Sequence, residues 1–200
     1  YNFLMRSSRG FTLIEVVVVI GVISIIASLM LANFPRFSKQ IAVEREAARI
    51  ALSLRKAQSY ALAVREFNAT FNDDPFCVNP PVKFPGYGIF LALADPAEYF
   101  IYGDANCSKY YESSPIAEAV EAVKMESGVR LWAIKGYDTA VCSGGCDLVG
   151  LSVLYVRPGP TTILRDGGID YNYAEVTLKS ADGEVQKKVV VRVTGQVSVE

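Results

Sequence analysis

Glu15 is the residue whose type and position most clearly suggest chemistry. It is the single carboxylate inside Phe11–Ala32, a run that is otherwise apolar or small and uncharged. An ionisable side chain at the centre of a bilayer costs ~2.5–3.5 kcal/mol, so such residues are functional candidates. Glu15 lies about four residues, or roughly 6 Å, into a predicted helix, which makes its cost smaller. A positive amine nearby would offset that cost; the alternative is an acid that stays protonated or reaches the interface.

The apolar run must position this carboxylate. Phe11–Ala32 is long enough to cross the ~30 Å hydrocarbon core of a bilayer as a helix. A short basic leader, Met5–Gly10, precedes it, and Tyr1–Leu4 before Met5 are treated as extraneous. The run exceeds the apolar segment of a secretory signal peptide, and Met30-Leu31-Ala32 lacks the small residues of a cleavage site. We therefore expect a retained membrane helix.

The stretch Gly10-Phe11-Thr12-Leu13-Ile14-Glu15 resembles the prepilin family, which comprises type IV pilins and type II secretion pseudopilins. The resemblance implies cleavage between Gly10 and Phe11 by prepilin peptidase, which then methylates the new amino group of Phe11. It also implies that Glu15 pairs with the terminal amine of a neighbouring subunit during assembly. The implied partners are the peptidase, other pilin or pseudopilin subunits and the inner-membrane assembly platform.

A second helical pattern follows the apolar run. Pro35 lacks a backbone N–H and clashes with the preceding turn, so it predicts a helix kink or a locally melted turn. Apolar residues then recur at spacings of three and four, which places them on one helix face: Ala47, Ile50, Leu54, Ala57, Ala61 and Val64. The predicted divisions are a leader (1–10), a membrane or filament-core helix (11–34), an amphipathic helix (35–68) and an extracytoplasmic β-rich domain (69–200).

The remainder of the chain reads as short strands. Asp182-Gly183 is the strongest hairpin signal, while 116–125 allows either a helix or a strand and 135–148 reads as a Gly-rich loop. The predicted strands are 87–93, 99–102, 129–134, 151–156, 174–179, 185–193 and 197–199. We predict an α+β fold in which a long N-terminal helix packs on a C-terminal antiparallel β-sandwich or meander.

The order of these features resembles one group within the family. The amphipathic segment Ala47–Val64, then Gly86-Tyr87-Gly88 and finally Thr194-Gly195-Gln196, are similar to the minor pseudopilin H and to FimT- or FimU-like minor pilins. This resemblance rests on the order and general composition of the segments over residues 40–200. The resemblance to the prepilin family rests on the specific motif at Gly10–Glu15.

Four cysteines all follow the membrane segment: Cys77, Cys107, Cys142 and Cys146. An even number in an extracytoplasmic domain predicts disulfides, with three possible connectivities. We favour Cys142 with Cys146 and Cys77 with Cys107. A four-thiolate zinc site normally needs two close pairs and only one pair is close here, and free thiols are the remaining alternative.

Little else in the sequence suggests catalysis or a cofactor. The sequence contains no histidine, which excludes Ser-His-Asp and Cys-His nucleophilic sites, and it has no phosphate-binding glycine loop. Asp104, Asn106 and Glu112 alternate oxygen ligands as calcium loops do, but a plain turn is the better interpretation because the mid-loop glycine is missing. We expect no cofactor, no metal and no enzymatic activity.

Nucleic acid is a partner that we do not expect. Lys187-Lys188 and Arg192 form only a slight basic cluster, and the net charge of the chain is −1. Phosphate binding usually needs a denser patch. The leading hypothesis is a structural subunit of a type II secretion pseudopilus or a type IV pilus. It crosses the cytoplasmic membrane once, with its C-terminal domain outside, before it joins the filament. The alternative is a single-pass anchored extracytoplasmic binding protein.

Overall fold

The chain divides into two compact units that share one helix. A computed structural model describes residues 10–74, 77–156 and 161–200, so predicted leader residues 1–9 lie outside the described part. The first unit ends at Ser38 and the second begins at Lys39. Helix α1 (Leu13–Leu62) contributes to both units and contains Pro35.

In the first unit, α1 exposes its apolar side chains. The 19 residues Leu13–Leu31 are long and apolar enough to cross a membrane, and 0% of them are buried in the protein. The two serine hydroxyls in this stretch donate back to the helix, Ser24 to the Ile20 carbonyl and Ser28 to the Ile25 carbonyl, each at 2.8 Å. Such internal pairing lowers the cost of a hydroxyl in hydrocarbon.

In the second unit, α1 forms one side of the core. Its buried positions recur with the helical period, so a single stripe faces inward: Val43, Ala47, Ile50, Leu54, Ala57 and Ala61. The same hydrophobic cluster contains Ile89 and Ile101 from one sheet and Leu178 and Val189 from the other. The helix and both sheets therefore share one core.

All named strand pairings are antiparallel. A six-stranded sheet has the order β3-β2-β1-β6-β7-β8, and a five-stranded sheet has the order β11-β10-β9-β4-β5. The strands are β1 (Gly86–Ala92), β2 (Glu98–Asp104), β3 (Ala119–Lys124), β4 (Val129–Tyr137), β5 (Cys146–Leu148), β6 (Gly150–Val156), β7 (Thr161–Asp166), β8 (Ile169–Asp170), β9 (Tyr173–Ser180), β10 (Gln186–Arg192) and β11 (Val197–Val199). This arrangement confirms the predicted α+β class.

Polar contacts clamp α1 to loops and edges of the sheets. Glu46 is buried, and its Oε2 accepts the N–H of Glu126 at 3.1 Å, between β3 and β4. The other clamps pair Lys39 with Asp182, Arg45 with Glu126 at 3.3 Å, the Arg49 guanidinium with the Lys124 carbonyl at 2.9 Å, and Lys56 with Glu121 at 2.5 Å. The helix is thus held at both its buried and its exposed faces.

The hairpin predicted at Asp182-Gly183 is confirmed, since β9 and β10 pair on either side of it. Gly183 has φ +78°, a conformation that glycine adopts without steric cost, and its N–H donates to the Ser180 carbonyl at 2.8 Å. Asp182 accepts the Ser180 hydroxyl at 2.6 Å. The turn residues therefore stabilise the connection as well as allowing it.

Several sequence expectations need correction. The predicted loop 135–148 is wrong in part, because β4 continues to Tyr137 and β5 occupies Cys146–Leu148. The ambiguous segment 116–125 contains β3, whose pairing with β2 outweighs its helix-forming alanines and glutamates. β7 and β8 are absent from the prediction, because β8 is only two residues long and β7 follows a Pro-Gly-Pro sequence.

The end of α1 is a further correction. The helix ends at Leu62 and not at residue 68, so Val64, which the sequence places on the buried face, is 44% exposed. The N–H of Arg65 donates to the Tyr60 carbonyl and the N–H of Val64 to the Ala61 carbonyl, at 3.2 and 3.3 Å. These bonds form a Schellman cap with Val64, φ 54°, at the position where glycine is usual.

Replacing Val64 by glycine should stabilise the protein by about 1 kcal/mol, because a β-branched residue is strained at positive φ. The packing lost is limited, since Val64 is 44% exposed. Thermal unfolding of the full chain in detergent, followed by circular dichroism, measures the effect. Ala63→Gly is the matched control and should not stabilise. Equal or lower stability of Val64→Gly would contradict the proposed strain.

Candidate functional site

The candidate site is the short segment that leads into α1. Gly10, Phe11 and Thr12 precede the helix, and a Cβ added at Gly10 would meet no atom within 4 Å. Phe11 is 81% exposed. The peptide bond between Gly10 and Phe11 therefore lies in non-helical backbone immediately before a helix, with open space at Gly10.

Thr12 fixes where the helix starts. Its Oγ1 accepts the N–H of Glu15 at 3.3 Å, and its carbonyl accepts the N–H of Val16 at 3.2 Å. Thr12 is thus the N-cap, and Glu15 is the third residue of the helix. Sequence reasoning missed the role of Thr12, although a Thr followed three residues later by Glu is the known capping-box pattern.

Glu15 lies where a negative charge is electrostatically favoured. The unpaired N–H groups of the first turn carry a partial positive charge, and a carboxylate there is worth typically 0.3–1 kcal/mol. The Thr12 cap and Glu15 therefore lie in the first turn of α1, directly after the Gly10–Phe11 peptide bond.

Comparison with known families gives one match. The family model of the prokaryotic N-terminal methylation motif matches residues 5–31. The chain carries this methylation motif. Comparisons with curated proteins and with solved structures gave no match. The motif supports a prepilin-like family and, with the apolar helix, fits a pilin-like subunit that a single helix anchors in the membrane.

The matched range of the methylation motif contains every residue of the candidate site. It covers Gly10, Phe11, Thr12 and Glu15, and it extends to Leu31, where the membrane-length stretch also ends. The roles assigned to these residues stay predictions. Pro35 lies beyond the motif, inside α1, and the kink expected there also stays a prediction.

The four cysteines form two disulfides in the second unit. Cys77 bonds to Cys107 with a Cα–Cα distance of 6.0 Å, and Cys142 bonds to Cys146 with a distance of 5.4 Å. These are the pairs that the sequence analysis favours. The first bond ties the segment after α1 to the segment after β2, across 30 residues of sequence. With both disulfides formed, none of the four cysteines is a free thiol.

Two carboxyl groups are buried beside the first disulfide. Asp104 is 5% exposed and Glu118 is 0% exposed. Asp104 accepts the N–H of Lys109 at 3.2 Å, and the two oxygens of Glu118 accept the N–H groups of Asn106 and Glu112 at 3.3 and 2.9 Å. The two acids therefore hold the loop between β2 and β3. Sequence reasoning missed Glu118, because nothing in the local pattern marks it as buried.

The weak calcium candidates do not come together as a metal site. Asn106 Oδ1 accepts the N–H of Ser108 at 2.9 Å, and the Asp104 carboxylate accepts the N–H of Lys109. Glu112 contributes its backbone N–H to Glu118. Within the part of the chain that the structure describes, no group of three His, Cys, Asp or Glu side chains could hold a metal ion.

Burial changes how these two acids titrate. Desolvation raises the pKa of Asp104 to about 6, and the nearby Glu112 charge adds to this while backbone N–H groups oppose it. Desolvation likewise raises the pKa of Glu118 to about 7, with a contribution from Asp104. The folded protein therefore retains protons, between about pH 4 and pH 7, that the unfolded chain has released.

The protein should accordingly lose stability as pH rises through this window, because raised acid pKa values favour the protonated fold. We expect the free energy of unfolding to fall by about 1 kcal/mol or more between pH 5 and pH 8, since one pKa unit corresponds to about 1.4 kcal/mol. Denaturant titrations of the full chain at each pH measure this slope.

The double variant Asp104→Asn/Glu118→Gln should flatten the slope, whatever its own stability at pH 5. Glu98→Gln, which removes a carboxyl at the start of β2, opposite Lys124 of β3, is the control and should keep the slope. A double variant that retains the wild-type slope would assign the pH dependence to other groups.

Proposed function

We propose that the protein is a structural subunit of a type II secretion pseudopilus or a type IV pilus. The observation that carries the proposal is the methylation motif at residues 5–31, which coincides with an open Gly10–Phe11 peptide bond and a membrane-length helix. Within that class, we propose a minor subunit of the pseudopilin H or FimT/FimU kind.

Processing would begin at the leader. Prepilin peptidase hydrolyses the amide between Gly10 and Phe11 on the cytoplasmic side, which releases the leader and creates an α-amine on Phe11. The unprotonated amine then attacks the methyl group of a sulfonium donor. The C–S bond of the donor breaks, which leaves a neutral thioether and a secondary amine that is protonated at neutral pH. The retained helix keeps the subunit in the cytoplasmic membrane, with residues 39–200 outside.

The new amine explains why a carboxylate is useful at position 15. It forms immediately before the N-cap, where the positive end of the helix dipole disfavours another positive charge. Glu15 carries the opposite charge one turn away, and in a filament it would pair with the Phe11 amine of a neighbouring subunit. Pairing also removes the cost of an isolated charge among apolar side chains.

The exposed apolar surface supplies the driving force for assembly. The side chains of Leu13–Leu31 are not buried within the part of the chain that the structure describes, so they must face lipid or other helices. When the subunit leaves the bilayer, packing against helices of other pilin or pseudopilin subunits keeps this surface out of water. The assembly platform in the inner membrane would move the subunit between these two surroundings.

The protein purified from its native membrane should begin at Phe11 and carry one additional methyl group. Intact-mass and N-terminal peptide mass spectrometry measure both changes. As a control, Gly10→Val should block cleavage and leave the leader attached, because a β-branched side chain crowds the carbonyl that the peptidase must attack. A wild-type chain that retains Met5-Arg6 would favour the alternative of an anchored binding protein.

Replacing Glu15 by glutamine should block assembly while leaving the subunit in the membrane. The amide keeps the size of the side chain but removes the charge that pairs with the amine, so incorporation into sheared filaments should fall at least about tenfold. Immunoblots of the membrane and filament fractions measure the two amounts. Asp147→Asn, the same change at a highly exposed residue, should assemble normally. Normal incorporation of Glu15→Gln would remove the assembly role of Glu15.

A further inference from the structure

A β-bulge places three side chains together on the outer face of the five-stranded sheet. Arg130 pairs with Lys179 across β4 and β9, and Leu131 pairs with Leu178. The register then shifts so that Trp132 is the extra residue. Because Leu131 and Leu178 are buried in the core, their neighbours point outward. We call Arg130, Trp132 and Lys179 the Trp132 patch.

The patch carries positive charge that the fold does not neutralise. Arg130 and Lys179 lie directly opposite each other, and like charges in that position destabilise a sheet. Among the described residues neither forms an ion pair, and the neighbour of Lys179 on β10 is the uncharged Gln186. Elsewhere on this face Lys135 pairs with Asp147 at 3.6 Å and Lys188 with Glu175 at 3.0 Å. The charge at the patch is therefore available to a ligand.

Trp132 adds an apolar platform to these cations. It is the single tryptophan of the sequence and is 57% exposed, although the hydrophobic effect favours burial of so large a ring. The Lys179 ammonium lies 4.1 Å from the centre of the ring, so the cation and the aromatic surface form one feature. An exposed tryptophan beside two cations that form no ion pair among the described residues has the composition of a binding surface and not of a merely solvated face.

We propose that the Trp132 patch binds an acidic polysaccharide. A uronate carboxylate would accept paired hydrogen bonds from the Arg130 guanidinium and a charge contact from Lys179. The apolar C–H face of the sugar ring would pack on Trp132. Gln186 lies beside Lys179 and supplies an amide for sugar hydroxyls. The extended sheet face suits a linear polymer with one charge per sugar.

The same face argues against nucleic acid as the occupant. Binding of a single strand normally combines a dense positive groove with several aromatic rings on which successive bases stack. Here Glu175 and Asp147 lie on the same face, and Tyr137 and Tyr173 already stack on each other with centres 4.4 Å apart. Arg192 lies over Tyr173 at 5.3 Å. Trp132 is thus the ring of this patch that no other described aromatic side chain stacks on, whereas successive bases of a single strand need several such rings.

The full chain in an uncharged polyoxyethylene detergent provides the test. Oligogalacturonate of defined length is titrated into the protein while tryptophan fluorescence is recorded, since any signal comes from Trp132. We expect a saturable change that weakens as salt is added, because charge contacts are screened. Calorimetry should show about tenfold weaker binding for Trp132→Ala and about threefold weaker binding for Arg130→Gln.

Lys135→Gln is the matched control, because it removes the same charge from the same face at a residue that is already paired. Its binding should remain within about twofold of wild type. Absence of binding by the wild type, or binding that Trp132→Ala and Arg130→Gln leave unchanged, would overturn the proposal. Equal binding of neutral dextran, or equal or tighter binding of a single-stranded oligonucleotide with the same number of charges, would overturn the assignment to an acidic polysaccharide.

Discussion

The hydrophobic effect acts on α1 in two surroundings, and the rest of the structure follows from this. Between Leu13 and Leu31 the apolar side chains are not buried among the described residues, whereas between Val43 and Ala61 an apolar stripe is buried completely or almost completely. The first stretch is apolar around its whole circumference and requires a surrounding of lipid or other helices. The second stretch has a polar face, so it needs a core on one side only. One continuous helix thus meets two different demands.

The composition of the buried stripe sets how the second unit is built. Three of its positions are alanine, Ala47, Ala57 and Ala61, so the sheets can approach the helix closely at these points. Larger side chains from the strands fill the remaining volume, among them Tyr87 and Tyr99, which are buried. Tyr87 donates to the Arg65 carbonyl at 3.0 Å, and Tyr99 shares a hydrogen bond with Ser53 at 2.9 Å. The tyrosines therefore combine packing with polar satisfaction at the helix surface.

Sequence reasoning was successful where a pattern is local and strong. The apolar run, the helical stripe from Ala47 to Ala61 and the Asp182-Gly183 hairpin depend on neighbouring residues alone, and the fold class follows from them. It failed where tertiary contacts decide. Val64 fits the helical spacing, yet its backbone bonds and φ 54° place it in the cap. β3 has the composition of a helix but finds a partner in β2.

The candidate site was predictable for a similar reason. Gly10, Phe11 and Glu15 occur at fixed offsets within one short segment, so their order is visible without a structure. The Trp132 patch is different, because Arg130 and Lys179 are far apart in sequence and meet only through the register of β4 and β9. The burial of Asp104 and Glu118 likewise depends on a loop folded over the sheet. Properties that require two distant segments are not encoded in any local pattern.

The polar clamps along α1 have a mechanical consequence. A pull on the N-terminal end of the helix reaches the 39–200 unit first at Lys39, and then at Arg45, Arg49 and Lys56. These attachments are spread over roughly 26 Å of helix at 1.5 Å per residue. Their partners lie in different loops and strands, so tension is divided among them and no single contact bears the whole load. Extraction of the helix therefore requires several separate ion pairs and hydrogen bonds to break, and the loss of one of them leaves the others in place.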